Sequence, residues 1–339
     1  MNILKKLNVP TGEICICNGE KGKLEFVSLH DYGKAKNIKA DFLGYTKEIN
    51  QVPHGELLPL EEKWVVTIST QYGCSMHCKF CDVPKVGPGK NATYDDLKNQ
   101  ILSALSLHPE VKATKRLNIH YARMGEPTWN DNVLIFTKDV RKIIRSYIGR
   151  SLVHPVISTM LPKDNKFLNE YLNSWVDIKN DLFKGDAGLQ FSINTTNDKL
   201  REELFSGNSL SLEEISKIGE MLDKPVGRKY ALNFAIGDTF EVNAEKLRDL
   251  FNPNKFMVKI TPIHITNACK ENNIETSNGY FDYTPYREIE NNLKKVGFDV
   301  LVFIPSVEED TSRITCGNAI LSDEKNTSTH IQKELISVQ

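Results

Sequence analysis

The sequence predicts an α/β chain: a partial (β/α)6, TIM-like barrel with a small β-rich extension before it. Three observations lead there. From residue 64 onward, apolar runs of strand length alternate with longer helix-like stretches, the signature of βαβ units and a parallel sheet. Before that point, two alternating stretches flank a turn-like Gly19-Glu20-Lys21-Gly22. The whole chain of 339 residues is 40% hydrophobic and 26% charged, ordinary for a globular protein and far from a disordered or disulfide-dense one.

In chain order, residues 13–18 and 23–28 predict a hairpin, and the Gln51-Val-Pro-His-Gly stretch a connector. Strands are expected at 64–70, 117–122, 153–159, 189–194, 230–236, 257–263 and 300–305. Helices are expected at 94–107, 131–147, 164–174, 211–222, 244–250 and 286–296. Right-handed crossovers wind such units into a barrel whose chemistry sits on the loops after the strands. The boundaries read as an extension over 1–60, a barrel over 61–306, and a C-terminal loop with a polar tail over 307–339.

Lys+Arg is 43 and Asp+Glu is 44, a net charge of -1, so any nucleic-acid contact must rest on local patches. No apolar run approaches the roughly 18 residues of a bilayer span, and no signal-peptide core opens the chain. The expectation is a cytoplasmic protein without membrane contact. Seven cysteines, an odd number, argue against a disulfide framework in that setting.

Three of them form Cys74-Ser-Met-His-Cys78-Lys-Phe-Cys81, immediately after the first barrel strand. Thiolates suit zinc or an iron–sulfur cluster. A structural zinc wants a fourth ligand, and His77 lies inside the same tight loop. A cubane held by three thiolates instead leaves one iron open for a substrate or cosubstrate. Cys74, Cys78 and Cys81 are therefore the candidate ligands of a [4Fe–4S] cluster. A zinc-binding interaction module is the rival from another class.

This C-x3-C-x2-C loop, with an aromatic residue before its last cysteine, resembles the radical S-adenosylmethionine (radical SAM) superfamily. The resemblance implies a barrel of the radical SAM type. It also implies an open iron that binds S-adenosylmethionine and cleaves it reductively to a 5′-deoxyadenosyl radical. Phe80 then falls beside the adenine. Arg123-Met-Gly125-Glu126-Pro127, after the second strand, resembles the element that holds the methionine amino group. Ser158, Ser192 and Asn194 match positions that contact the ribose and carboxylate, and His264 matches one that holds adenine or ribose.

Gly73-Cys74, Met124 to Pro127, Ile157-Ser-Thr and Cys316-Gly317-Asn318 together look like the RlmN/Cfr-type methyl synthases, over about residues 61–320. Those enzymes methylate carbon 2 or carbon 8 of an RNA adenosine. In them a late cysteine, matched here by Cys316, carries the methyl group, and a second cysteine resolves the covalent adduct. The external electron donor is expected to be of flavodoxin or ferredoxin type.

This sequence departs from that pattern in three places. The second cysteine position, seven residues before Cys74, holds Thr67; Cys15, Cys17 and Cys269 are possible substitutes. The N-terminal part shows no pattern for the helical RNA-contacting domain of the family. The segment before Cys316 is acidic, Glu308-Glu309-Asp310. Lys79, Lys85 and Lys90 surround the cysteine loop, on the face where a phosphate backbone would arrive, and a basic helix follows from Lys138 to Arg145. Enzymes of the family this sequence resembles use a glutamate upstream of the first strand as a base; Glu56, Glu61 and Glu62 lie in that region, and the role is assigned to none of them. RNA is thus one expected substrate. A small or nucleotide-like molecule, attacked directly by the deoxyadenosyl radical, is the alternative.

Overall fold

The computed structural model describes residues 1–9, 11–31, 57–149, 151–276, 284–304 and 319–321. Cys316 and most of the C-terminal loop lie outside the described residues, as does Glu56.

Ten strands form one sheet in the order β1-β2-β3-β4-β7-β8-β9-β10-β11-β12. Strands β1 (Asn2–Val9), β2 (Gly12–Gly19) and β3 (Gly22–Leu29) are antiparallel neighbours. The hairpin turn sits at the Gly19-to-Gly22 pair. The β-rich N-terminal segment does not stand apart. β3 pairs antiparallel with β4 (Trp64–Ile68), Phe26 beside Ile68, so it extends the barrel sheet.

From β4 the sheet is parallel: β7 (Leu117–Tyr121), β8 (Val153–Thr159), β9 (Gly188–Ser192), β10 (Tyr230–Ile236), β11 (Phe256–Pro262) and β12 (Val300–Val302). The intervening helices are α1 (Tyr94–Ser106), α2 (Asn132–Arg145), α3 (Leu168–Asp177), α4 (Asp198–Leu204), α5 (Leu212–Met221), α6 (Ala244–Leu250), α7 (Asn267–Glu271) and α8 (Thr284–Lys295). Among the described residues, no helix is long and apolar enough to cross a membrane.

Local chemistry explains the main boundaries. Thr93 and Asp96 form a reciprocal capping box that starts α1, and Ser211 with Glu214 does the same for α5. Asp96 also accepts from the Glu20 amide (3.0 Å) and the Tyr72 hydroxyl (2.6 Å), so the hairpin turn is tied to the start of α1. A short antiparallel pair, β5 (Gln71–Gly73) and β6 (Pro88–Asn91), brackets the cysteine loop.

Alternate residues of the parallel strands are fully buried, such as Trp64, Val66 and Ile68, and form the apolar core. The opposite face lines the barrel lumen and is polar, with Thr67 beside His120 and Ser158 beside Gln190. His120 is driven down to about 3, first by burial and then by the Lys259 charge. His154, whose Nδ1 donates to the Asp186 carbonyl at 2.8 Å, is driven to about 4, again chiefly by burial. Both rings stay neutral where an unfolded histidine, near 6.5, would bind a proton. The unfolded chain thus takes up protons that the folded chain refuses, and stability falls as pH drops below about 6.5. Urea denaturation at pH 5 should give a free energy lower than at pH 7 by on the order of 2 kcal/mol. His120→Asn should remove a substantial part of that difference; a flat profile would contradict this account.

Candidate functional site

The cysteine loop lies beyond the end of β5, between two short helices that follow the fourth and sixth parallel strands. From the α4 side, the Leu204 carbonyl accepts from the Lys79 amide (2.9 Å), and the Ser206 hydroxyl donates to the His77 carbonyl (2.5 Å). From the α7 side, the Thr266 hydroxyl donates to the Phe80 carbonyl (2.8 Å) while accepting from the Cys269 amide (2.9 Å). Asp82, fully buried, accepts from the Asn267 and Ala268 amides at 3.0 and 2.8 Å. The β5–β6 pair closes the loop's base. A Cβ on Gly89 would sit 2.2 Å from the Ser75 nitrogen, so only glycine lets the two chains approach there.

Cys74, Cys78 and Cys81 are half-buried free thiols. Burial pushes Cys74 up to about 12 and Cys81 to about 11, and drives Cys78 well above its ordinary value. Next in order for both Cys74 and Cys78 is the charge of Cys81. The three therefore feel one another, and each stays protonated until a metal takes its proton's place. Among the described residues, no three His, Cys, Asp or Glu side chains stand close enough to share a single metal ion. One tetrahedral ion draws its sulfurs to within about 4 Å of each other. A multi-iron cluster offers each thiolate an iron of its own. The donor set, three half-buried thiols on one loop with His77 left exposed, fits such a cluster.

Glu126 is buried beside this loop. One of its carboxylate oxygens accepts from the Thr128 amide (3.1 Å) and hydroxyl (2.7 Å), the other from the Met160 amide (2.9 Å). Burial raises its pKa, and these donors hold it back in part. Met160 also brings its sulfur to 3.5 Å from the Cys78 sulfur, so Glu126 and the cysteine loop share one neighbour. Gly125 has a φ of +93°, and a Cβ there would lie 2.4 Å from that of Gln71. The Gln71 side chain accepts from the Glu126 amide at 3.0 Å, which locks this element to β5. Pro127 opens a buried 3-10 turn, Pro127–Trp129.

The other predicted residues separate. Ser158 and Ser192 are half-buried on the lumen face, Ser158 reaching the Gln190 side chain at 3.4 Å. Asn194 is buried with a φ of +64°, and its side-chain oxygen accepts from the Ala235 amide at 3.2 Å. It braces β10. Phe80 packs edge-on against Phe205 at 5.5 Å. His264 is half-buried, and its carbonyl accepts from the Cys269 thiol at 3.2 Å.

Neither Cys15 nor Cys17 stands in for Thr67. Both are buried on β2, one strand beyond β3, and burial holds both near 12. Cys269 packs against the Phe80 carbonyl, beside Cys81. Lys85 is engaged by Glu271 at 2.7 Å, whereas Lys90 shares with Lys21 and Trp129 an open cavity of about 660 Å³ next to Ser75. Glu61 is exposed, and Glu62 pairs with Lys115 at 2.5 Å, both away from the mouth.

The carboxylate that sequence reasoning missed is Glu25 on β3. It is fully buried and paired with Arg123 at 2.8 Å, directly before the Met124-Gly125-Glu126 element. Burial raises its pKa, with Arg123 and the amides of Ile320 and Ala319 pulling it down. The one signal available was a glutamate between Leu24 and Phe26 in an otherwise apolar strand.

A solved structure, a radical SAM methyltransferase from Sphaerobacter thermophilus, superposes with a TM-score of 0.59 at 17% identity, covering 89% of this chain and 76% of that one. The fold is the one that radical SAM proteins adopt. The curated proteins to which the chain is similar carry the RlmN name. It is 28% identical over 208 residues to a ribosomal RNA large subunit methyltransferase N of Nitrosopumilus maritimus (strain SCM1), covering 59% of this chain and 55% of that protein. It is 30% identical over 219 residues to a probable dual-specificity RNA methyltransferase RlmN of Caldanaerobacter subterraneus subsp. tengcongensis, covering 62% and 57%. A Campylobacter lari RlmN is 26% identical over 288 residues, covering 82% and 76%. The chain thus spans little more than half the length of the first two relatives. No family model matches it.

Proposed function

We propose that this chain is a radical SAM enzyme. Cys74, Cys78 and Cys81 hold a [4Fe–4S] cluster, and Phe80, Gly125, Glu126, Pro127, Ser158, Ser192, Asn194 and His264 border the S-adenosylmethionine site. The observation that carries this reading is a single loop bearing three half-buried thiols, pinned by α4 and α7, with Glu126 reaching it through Met160. Such a cluster, when bound and reduced by an external flavodoxin- or ferredoxin-type donor, supplies the electron that cleaves the sulfonium. The chain's own residues orient the cosubstrate and keep water from it.

Within this class, methylation of an RNA nucleobase, an adenosine, with Cys316 as methyl carrier, is the leading reaction. The names of the curated relatives support it. A second reading, direct use of the deoxyadenosyl radical on a small nucleotide-like substrate, is favoured by Thr67 at the position of the resolving cysteine.

Anaerobic incubation with S-adenosylmethionine and a reductant tests the class: 5′-deoxyadenosine should form, and its absence from cluster-loaded protein would refute it. Mass spectrometry of protein made in cells separates the two reactions. A Cys316 heavier by one methylene supports methyl transfer; an unmodified Cys316, with undiminished turnover in Cys316→Ala, leaves the second reading.

A further inference from the structure

The barrel lumen holds a cation without a counter-charge. Lys259 is the middle residue of β11, between Val258 and Ile260, which are both fully buried in the apolar core. Its own side chain therefore faces the lumen. In register it stands beside Asn233 of β10, which stands beside Ser192 of β9, so these three share the lumen face. Among the described residues the Lys259 ammonium makes no hydrogen bond or ion pair, although it keeps some surface open to the lumen. The neighbouring Asn233 side-chain oxygen is buried without any partner.

The surroundings deepen the imbalance. The charge that Lys259 feels is Arg228, a like charge, and burial drives its pKa down to about 8. The charges acting on His120 are Lys259, Arg228, Lys63 and Arg116, of which Lys63 is paired with Asp31 and Arg228 has a partner of its own. A buried ammonium facing cations is costly unless an anion joins it. An orphaned acceptor next to it calls for a donor such as a hydroxyl.

We propose that the lumen is a binding chamber for a small anionic ligand, in which Lys259 takes a phosphate or carboxylate, Asn233 accepts from a hydroxyl of the same ligand, and the His120 ring offers a further hydrogen bond. A nucleoside monophosphate has this chemistry. Binding at Lys259 does not require the cluster, so it can be measured separately from the radical chemistry proposed above.

Ligand binding is read on the full chain by calorimetry and by thermal shift, with inorganic phosphate, adenosine monophosphate, adenosine and S-adenosylmethionine as separate probes. At least one anionic probe should bind and raise the Tm. Protection by phosphate and the monophosphate identifies a phosphate, and protection by S-adenosylmethionine alone identifies its carboxylate. Lys259→Met should weaken that binding by about thirtyfold or more, and Lys259→Arg should largely restore it. Without ligand, Lys259→Met should melt no lower than wild type, because the change removes an unpaired buried charge. The proposal is overturned if no anionic probe binds wild type, if Lys259→Met binds the anion equally well, or if the ligand-free methionine variant melts far below wild type.

Discussion

Cys78→Ala should take the iron content of anaerobically reconstituted protein from about four per chain to near zero, and 5′-deoxyadenosine formation with it. Cys78 is the middle thiol of the loop, and its sulfur touches Met160, whose amide holds Glu126. Two thiolates cannot grip three corners of a cubane, so the loss is not graded. The fold should survive, because the loop is held by backbone and hydroxyl bonds from α4 and α7 rather than by its sulfurs. Iron is measured by colourimetric assay and folding by far-UV circular dichroism. A soluble, folded variant that keeps its full iron would remove Cys78 from the ligand set.

Arg201→Met should cost about 3–5 kcal/mol in urea denaturation, more than any other single change considered for this chain. Arg201 is almost fully buried in α4. Its guanidinium donates to the carbonyls of Ser192 (2.8 Å), Ile193 (2.7 Å) and Leu210 (3.3 Å) and to the Ser209 hydroxyl (2.5 Å), and lies 4.5 Å over the Phe205 ring. A methionine fills the space but withdraws four donated bonds, and the Ile193 and Leu210 carbonyls keep only their bonds from the Thr195 amide and the Ser209 hydroxyl. Because Leu204 and Ser206 hold the cysteine loop, the variant should also lose iron faster on warming, before its far-UV signal falls. A penalty below about 1 kcal/mol would mean that the acceptors find water instead.

The barrel was legible because strand-length stretches rich in apolar residues alternate with longer helix-like ones from residue 64 onward. Strand β1 was not, since Lys5-Lys6 interrupts it, and α4 and α7 are too short to show a helical period. The antiparallel union of β3 with β4 joins segments far apart in sequence, and no local pattern encodes such a partner. At the site, spacing singled out the cysteines, and the resemblance to a known family singled out the Met124-to-Pro127 element. What it concealed depends on distant residues. Lys85 loses its freedom to Glu271, 186 positions away, and Asn194 adopts a left-handed backbone that turns its amide into β10. Glu25 and Arg123 lie 98 positions apart, and the fold buries them against each other.

The union of β3 with β4 has a consequence for assembly of the chain. A parallel barrel that begins at β4 would present an open row of amides and carbonyls to any passing strand, an invitation to aggregate. The N-terminal meander caps that row and moves the vulnerable border outward to β1, where Lys5 and Lys6 discourage further recruitment. Built from neighbours in sequence, the meander can form early and serve as a template on which the first parallel strand is laid.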